Sequence, residues 1–455
     1  MELVQKQGLA MDCLKYKYYI KILVAVWGNF SVWKDANYKY KNEKHTSSTT
    51  LPLLLGTINP NYTYIILSDT LMDKYDKIST YQEGLSKIKN EADAFIKEKI
   101  RSYPTKLKED NINILILPAV GTFSRSRFVG NPNNFYALVY FELARNILRN
   151  LGSKLAFISE NNKPCLELYL DITHGLNFMT MITYRAVKDI LQIIAYFCNV
   201  RLIVLNSDPL VGSGNIDLNI NEIEKINVIP AFNFYRYSDT MLLIPSPSGH
   251  EGVNALTKRM DRLYAFCSAF LHGLPVYMYY FYEKLKEDEI ESIVKLFCNY
   301  VHIKVNVNGT FEIIQGLNFG ESFISLLQGF LLSNLLEFLR VDVKDDGAIR
   351  MDDIERIKGI FKHSKTILQR LEREFEKIEK RKRQISSEFK DYGFYAEANY
   401  SPNDNFDGRN FFAHCGFAHN LIEVKKEGNT IFIKPKQRFI EEIHEALLES
   451  LPLGG

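Results

Sequence analysis

“LELYLDITHGLNFMTMITYRAVKDILQIIAYF”, residues 166–197, joins a short apolar run to a long amphipathic one through a small polar loop. The first run is continuous and rich in Leu, Tyr and Ile, which is typical of a strand buried on both faces. The second run, from Asn177 onwards, spaces its apolar residues as a helix does. Strand, loop and helix in this order are the repeating unit of parallel α/β sheets, so this stretch predicts the fold class of the first half.

The same alternation recurs on both sides of this stretch. It predicts a Rossmann-like α/β domain over residues 1–247, because the Pro- and Ser-rich “IPSPSGHEG” that follows is typical of a domain boundary. The predicted strands are “YIKILVAVW”, “YTYIILSD”, “INILILPAV”, “KLAFIS”, “LELYLDI” and “RLIVLNS”, and the predicted helices are residues 80–101, “NFYALVYFELARNILRN” and “NFMTMITYRAVKDILQIIAYF”.

Residues 248–455 are predicted to form a mostly α-helical domain. Its long segments space apolar residues by three and four, as in “TILQRLEREFEKIEKRKRQI”, whose charged run at 372–383 is interpreted as a solvated helix face. The stretch “VHIKVNVNGTFEIIQG” alternates with period two around Asn-Gly and predicts a β-hairpin inserted among the helices. “TIFIKP” predicts one further short strand.

Composition limits the partners. The 56 basic and 54 acidic residues give a formal charge of +2, so we expect neither stable DNA binding nor membrane binding. The six cysteines contain no C-x-x-C pair and are predicted to be reduced. The apolar run from Ile22 to Trp27 is far shorter than the roughly 20 residues of a membrane span, so a cytoplasmic protein is predicted.

The most suggestive chemistry lies in “FDGRNFFAHCGF”, residues 406–417. The turn-rich residues before Arg409 predict a helix that begins there and continues through “NFFAHCGFAHNLIEV”, with Asn410 and His414 on one face. An imidazole can take a proton from a 2′-hydroxyl or return one to a leaving 5′-oxygen, and a guanidinium can stabilise charge on the phosphate. No carboxylate cluster accompanies these residues, so RNA cleavage without a metal or cofactor is predicted.

An R-x4-H pattern also arises by chance, and a buried helix would explain it equally well. Arg438 and His444 form a similar pattern, which we interpret as a solvated surface pair, and His419 is interpreted as an ordinary partly buried histidine. One chain supplies only one such catalytic histidine, whereas cleavage needs both a proton acceptor and a proton donor. A two-fold dimer, or a higher homo-oligomer, would supply both.

“RNFFAH” resembles the R-N-x-x-x-H signature of HEPN ribonucleases, and three stretches of the first half resemble CARF domains. These stretches are “VAVWGNFSVW”, “LPAVGTFSRSRFVGNPNNF” and “LDITHGLNFMT”, of which the T-H-G-x-N element is the most specific. The chain thus resembles the CARF–HEPN accessory ribonucleases of type III CRISPR systems. The resemblance implies that a cyclic oligoadenylate binds the CARF dimer and activates cleavage of single-stranded RNA by the HEPN dimer.

The resemblance also implies roles for particular residues. Cyclic tetra-adenylate is the expected activator, with cyclic hexa-adenylate as the alternative, and the strand-to-helix loop at Gly175 is expected to offer free backbone N–H groups to a phosphate. The expected catalytic residues are Arg409, Asn410 and His414. The expected ligand-binding residues are Trp27, Gly28, Asn29, Gly121, Thr122, Ser124, Arg125, Thr173, His174, Gly175 and Asn177.

Two other functions remain open at this point. A nucleotide-sensing regulatory module would bind DNA or a partner without cutting RNA, but the most basic run, “EKIEKRKRQI”, is balanced by glutamates. An ungated HEPN toxin ribonuclease would cut RNA without an activator, and the “THGLN” loop would then have no function in ligand binding.

Overall fold

The computed structural model describes residues 19–454 except 76–77, 105–110, 124, 156–163, 210–216, 248, 307–309, 399 and 401–404. The chain divides into two compact units. The first comprises Met1–Ile147, Phe157–Ile229 and Val294–Phe319, and the second comprises Leu148–Ala156, Pro230–Ile293 and Gly320–Gly455. This division differs from the predicted boundary after residue 247.

The elements up to residue 227 alternate between strands and helices, which confirms the α/β character predicted for the first half. The strands are β1 (Tyr19–Trp27), β2 (Ala36–Tyr40), β3 (Glu43–Ser47), β4 (Tyr62–Ser68), β5 (Ile112–Leu117), β6 (Gly121–Thr122), β7 (Ser126–Val129), β8 (Cys165–His174), β9 (Asn199–Ser207) and β10 (Asp217–Asn227). The helices are α1 (Leu51–Ile58), α2 (Tyr81–Arg101), α3 (Pro132–Leu155) and α4 (Asn177–Ile194).

The later elements are mainly helical. The helices are α5 (Glu251–Lys258), α6 (Met260–Leu271), α7 (Pro275–Tyr280), α8 (Glu287–Asn299), α9 (Glu321–Glu337), α10 (Met351–Ile357), α11 (Lys365–Arg381), α12 (Gly393–Ala396), α13 (Gly408–Ala413) and α14 (Ile440–Glu449). The strands are β11 (Leu243–Ile244), β12 (Val301–Val305), β13 (Phe311–Gln315), β14 (Asn318–Phe319), β15 (Ile349–Arg350), β16 (Lys390–Asp391), β17 (Ile422–Glu427) and β18 (Thr430–Pro435).

An eight-stranded sheet in the order β3-β2-β10-β9-β8-β1-β4-β5 organises the first unit. The five neighbouring strands from β9 to β5 run parallel, whereas β10 is antiparallel to β9. The central strand β1 lies between β8 and β4, and its residues from Ile22 to Trp27 are all buried, as its unbroken apolar run predicts. The carboxyl ends of β8 and β9 are therefore neighbours.

The predicted hairpin is present, but it lies in the first unit and not in the helical domain. Strands β12 and β13 are antiparallel, and β13 pairs in parallel with β7 in the sheet β12-β13-β7-β6. The alternation of buried Phe311, Ile313 and Gln315 predicts a half-buried strand. This alternation does not indicate which strand pairs with the other edge of β13. The prediction that the hairpin lies in the helical domain was therefore wrong.

Two further predictions need correction. In “KLAFIS”, Lys154 and Leu155 end α3, and the remaining residues lie outside the described part of the chain. Cys165 is disulfide-bonded, whereas Cys198, Cys267, Cys298 and Cys415 form no disulfide. The expectation of six reduced cysteines is thus wrong for Cys165, because spacing along the sequence cannot show which thiols meet in space.

The second unit contains a four-stranded antiparallel sheet, β15-β18-β17-β16, besides its helices. Only β18 was predicted from the sequence. Helix α11 begins at the N-cap Ser364, whose hydroxyl accepts a hydrogen bond from the N–H of Ile367. Its buried face contains Leu371, Phe375 and Ile378, as the spacing predicts.

Candidate functional site

The R-N-x-x-x-H motif forms a short helix with a defined start. Asp407 caps α13: its Oδ1 accepts the backbone N–H of Asn410 at 3.1 Å, and its Oδ2 accepts the Asn410 side-chain N–H at 2.8 Å. Arg409 is exposed at the first turn, and no described residue accepts a hydrogen bond from its guanidinium. Asn410 is therefore held by the cap, while Arg409 remains available to an external anion.

The helix ends at His414, so the prediction of a helix continuing through “NLIEV” is wrong. Cys415 and Gly416 both have positive φ, +50° and +79°. The N–H of Gly416 donates to Phe411 O at 2.9 Å and the N–H of Cys415 donates to Phe412 O at 3.3 Å, which is a Schellman C-cap. A Cβ at Gly416 would lie 2.7 Å from the ring of Tyr277, so only glycine fits there.

His414 is at the C-cap and its imidazole meets a buried carboxylate. Its Nδ1 lies 3.0 Å from Oε1 of Glu374 on α11. The His414 side chain is 40% exposed and the Glu374 side chain only 5%. Nζ of Lys377, one turn further along α11, donates to the same Glu374 oxygen at 2.8 Å. The Nε2 atom of His414 has no hydrogen-bond partner among the described residues.

Glu374 is not among the site residues predicted from the sequence, because it lies in the run 372–383, which is interpreted there as a solvated helix face. A signal was present: Glu374 lies three residues after Leu371 and four before Ile378, which places it on the apolar face of α11. A carboxylate on such a face needs a partner. His419, by contrast, pairs with the half-exposed Glu397 at 3.1 Å and is not part of this cluster.

The “THGLN” loop occupies the point where β8 ends and α4 begins. The N–H of Gly28 donates to His174 O at 2.7 Å, which joins the ends of β1 and β8. Gly175 is required sterically, because a Cβ there would lie 2.3 Å from Thr180 Cγ2. Helix α4 begins at Asn177 with Leu176 as its N-cap, and a leucine has no polar atom to cap the helix.

The His174 imidazole is packed between aromatic rings. It stacks on Trp33 with ring centroids 4.2 Å apart, and the edge of Tyr38 approaches at 5.9 Å. Its Nε2 accepts the N–H of Thr50 at 3.4 Å. Burial lowers the pKa of His174 and outweighs the opposing charge of Asp171, so the ring is neutral at neutral pH.

A cleft of about 700 Å³ opens at the carboxyl ends of β8 and β9. Thr173 and His174 line it, and Oγ1 of Thr173 accepts the N–H of Ser207 at 3.1 Å. Open α/β sheets bind ligands at this edge. The other lining residues are Val32, Trp33, Lys34, Tyr38, Ser48, Asn206, Ser207, Asp208, Pro209 and Leu218.

Among the remaining predicted ligand residues, none of those that the structure describes in full lines this cleft. Trp27 is 1% exposed and packs against Phe30, Trp33 and Phe95, so it faces the core. Asn29 caps the 3-10 helix Phe30–Val32.

The second predicted ligand stretch lies in another sheet. Gly121 and Thr122 form β6, which pairs with β7, and the backbone N–H of Arg125 donates to Asp73 at 3.0 Å. Ser124 lies outside the described residues, as does the side chain of Asn177. Trp33, which stacks on His174, is not among the residues predicted from the sequence, although it ends the stretch “VAVWGNFSVW”.

Comparison with known proteins matches a segment of each unit to the same kind of protein. A profile described as the CARF domain of the CRISPR system endoribonuclease Csx1 matches residues 22–209, and one described as its HEPN domain matches residues 364–437. The chain is 27% identical over 431 residues to the CRISPR system endoribonuclease Csx1 of Methanocaldococcus jannaschii, an alignment that covers 89% of this chain and 86% of the relative. The chain belongs to the CARF–HEPN family of CRISPR accessory ribonucleases.

The HEPN match of this CARF–HEPN ribonuclease includes both Glu374 and the 409–414 motif, and its CARF match includes Trp33 and the “THGLN” loop. Within the described residues, no three His, Cys, Asp or Glu side chains are grouped so that they could hold a metal ion. None of the helices described here is both long and apolar enough to cross a membrane.

Proposed function

We propose that this chain is a cytoplasmic, cyclic-oligoadenylate-activated endoribonuclease of type III CRISPR defence that cuts single-stranded RNA without a metal ion. The observation that carries the proposal is the half-exposed His414, paired through Nδ1 with a buried carboxylate, at the C-cap of a six-residue helix whose first turn carries the exposed Arg409. These side chains supply proton transfer and charge stabilisation, the two needs of RNA cleavage.

The cleavage step uses the free face of His414. A carboxylate can only accept a hydrogen bond, so the proton of the neutral imidazole resides on Nδ1 and the lone pair of Nε2 faces outward. Nε2 takes the proton of a 2′-hydroxyl, whose oxygen attacks the adjacent phosphorus while the 5′-oxygen leaves. The products are a 2′,3′-cyclic phosphate and a 5′-hydroxyl.

Arg409 stabilises the charge that develops on the phosphate oxygens, because its planar fork matches two of them at once. Asn410, held by Asp407, assists by keeping the first turn of α13 in register. The leaving 5′-oxygen needs a proton, and a second copy of the chain in a two-fold dimer brings a second imidazole to supply it. We therefore propose a homodimer or a higher homo-oligomer.

The sensor is proposed to be the cleft at the ends of β8 and β9. The neutral His174, stacked on Trp33, offers a flat surface to an adenine, and Thr173 and the uncapped start of α4 offer hydrogen bonds to phosphate oxygens. Cyclic tetra-adenylate is the proposed activator and cyclic hexa-adenylate the alternative. The ligand activates by binding the active arrangement more tightly than the inactive one.

The deciding test is cleavage of labelled single-stranded RNA in EDTA, with and without cyclic tetra-adenylate, by the native chain and by His414→Ala. We expect cleavage that requires the ligand and is lost in the variant. Activity that survives in His414→Ala would overturn the catalytic assignment. Cleavage independent of any cyclic oligoadenylate would overturn the sensor assignment and favour an ungated ribonuclease.

A further inference from the structure

We propose that Glu374 is a positioning residue for the cleavage reaction and that Lys377 tunes it. The Glu374 carboxylate fixes the tautomer and orientation of His414. The Lys377 ammonium partly offsets the negative charge that Glu374 presents to the imidazole. This inference rests on the proposed function of His414 and extends it to two residues outside the R-N-x-x-x-H motif. The motif itself therefore represents only part of the site.

The position of Glu374 follows from the packing of α11. Its neighbours on the buried face, Leu371 and Ile378, are fully buried, and Phe375 is only 5% exposed. The Glu374 residue is 4% exposed, so its carboxylate has little water to solvate it. A buried carboxylate is costly unless charged or polar partners satisfy it. His414 and Lys377 are those partners, both on Oε1.

The chemical consequence concerns the tautomer. With Oε1 accepting from Nδ1–H at 3.0 Å, the catalytic proton acceptor is the half-exposed Nε2 atom and not the buried side of the ring. When Nε2 takes a proton, the imidazolium is stabilised by the adjacent negative charge. A glutamine at position 374 would keep nearly the same shape but could donate to Nδ1 as well as accept, so the orientation would be lost together with the charge.

Lys377 acts in the opposite sense. Its Nζ lies 2.8 Å from the Glu374 oxygen that also contacts His414. The positive charge of Lys377 therefore offsets part of the negative charge that Glu374 presents to the imidazole. The Lys377 side chain is 39% exposed, and solvent weakens this effect relative to that of the buried carboxylate. Removing the carboxylate and removing the ammonium should therefore change the protonation of His414 in opposite directions.

The other groups around the carboxylate do not titrate near neutral pH. Burial, opposed by Arg381 and reinforced by Glu374, raises the pKa of Tyr392 to about 12. Burial, opposed by Arg370 and reinforced by Glu374, raises the pKa of Cys415 to about 12. Both groups are neutral at working pH and both arginines are permanently charged. The charge that changes in the proposed variants is thus the one next to His414.

The first test needs no catalysis. NMR titration of His414 is compared between the native chain, Glu374→Gln and Lys377→Met. We expect the midpoint of the His414 titration to move to lower pH in Glu374→Gln and to higher pH in Lys377→Met. Matched controls are Glu376→Gln and Lys380→Met, which break an exposed pair on the same helix and should leave the midpoint unchanged. Equal midpoints in all five proteins, or shifts of the same sign in both variants, would overturn the proposal.

The second test is kinetic and uses the full chain with its activator. We expect Glu374→Gln to lower kcat about 10- to 100-fold with little change in KM, because the loss concerns proton transfer and not RNA binding. The acid limb of its pH–rate profile should move to lower pH, and that of Lys377→Met to higher pH. Glu376→Gln should behave as the native chain.

The outcomes separate this inference from the function on which it rests. If His414→Ala is inactive while Glu374→Gln matches Glu376→Gln in kcat and in the His414 titration, the positioning role is wrong and the ribonuclease stands. If His414→Ala retains full activity, the catalytic assignment fails whatever Glu374 does. Thermal unfolding of each variant shows whether a loss of kcat comes from loss of fold; Lys377→Met, at a half-exposed site, provides the shift of opposite sign even if Glu374→Gln is unstable.

Discussion

His174 and His414 are the same side chain in two opposite environments. His174 is stacked on Trp33 and lines a cleft at the end of a parallel sheet, where burial lowers its pKa. His414 is 40% exposed at the end of a short helix, with one nitrogen on a buried carboxylate. The first environment keeps the ring neutral and holds it in a stack, which suits binding, and the second exposes one ring nitrogen to solvent or substrate, which suits catalysis.

The largest effect is expected at His414, the proposed catalytic histidine. We expect His414→Ala to lower kcat at least about 10²- to 10⁴-fold, the range for loss of one proton-transfer group. His419→Ala is the matched control, since His419 is similarly exposed and also paired with a glutamate, Glu397. RNA cleavage under saturating activator is the measurement. A similar loss in both variants would mean that the motif has no special role.

The next largest effect is expected at Arg409. Arg409→Lys keeps the positive charge but loses the planar fork, so we expect kcat to fall about 10- to 100-fold, less than the about 10²- to 10³-fold typical of removing a charge-stabilising donor altogether. The kcat of Arg409→Lys relative to the native chain measures the contribution of the planar guanidinium. The kcat of Arg409→Lys relative to Arg409→Ala measures the contribution of the positive charge. Equal kcat in the native chain and Arg409→Lys would show that geometry at this position is unimportant.

Next to His174, the proposed binding histidine, a substitution should affect the affinity for the activator and not the rate of RNA cleavage. Trp33→Ala removes the ring on which His174 stacks, and we expect cyclic tetra-adenylate to bind about 5- to 150-fold more weakly, as for the loss of one stacking platform of about 1–3 kcal/mol. Calorimetry measures this change, and Lys97→Ala on α2, exposed and paired with Asp93, is the control. At saturating activator, kcat should return to the native value. A kcat that stays low would contradict a pure binding role.

The smallest expected effect is the pH dependence of stability. Burial lowers the pKa of His174 below its unfolded value of about 6.5, so below that pH the unfolded chain binds a proton that the folded chain does not. The free energy of unfolding should therefore fall as pH decreases below about 6.5, by at most about 1.4 kcal/mol per pH unit from this group. His174→Gln should lose less stability between pH 7 and pH 5 in denaturant titrations. The opposite order would show that the ring is protonated in the folded state.

The two sites also differ in how far the sequence predicted them. The “THGLN” loop was predicted at a strand-to-helix junction because the residue patterns on its two sides are typical of a strand and of a helix. In the structure β8 ends at His174 and α4 begins at Asn177. Helix α13, at the other site, is shorter than the helix that the sequence predicts. The aromatic and apolar residues after His414 continue a helical pattern, but the Schellman cap at Cys415 and Gly416 reverses the chain.

By itself, the sequence determined the α/β character of the first half and the helical character of most of the second, the closeness of an arginine and a histidine around α13, and which family the residues resemble. These properties follow from residues close together in the chain, where burial imposes a period of two or of 3.6. Tertiary structure decided that the hairpin at 301–315 joins the first unit, that Trp33 stacks on His174, and that Glu374 meets His414 across 40 positions of sequence. Such pairings depend on which faces pack together in space, and local periodicity carries no information about the partner of a face.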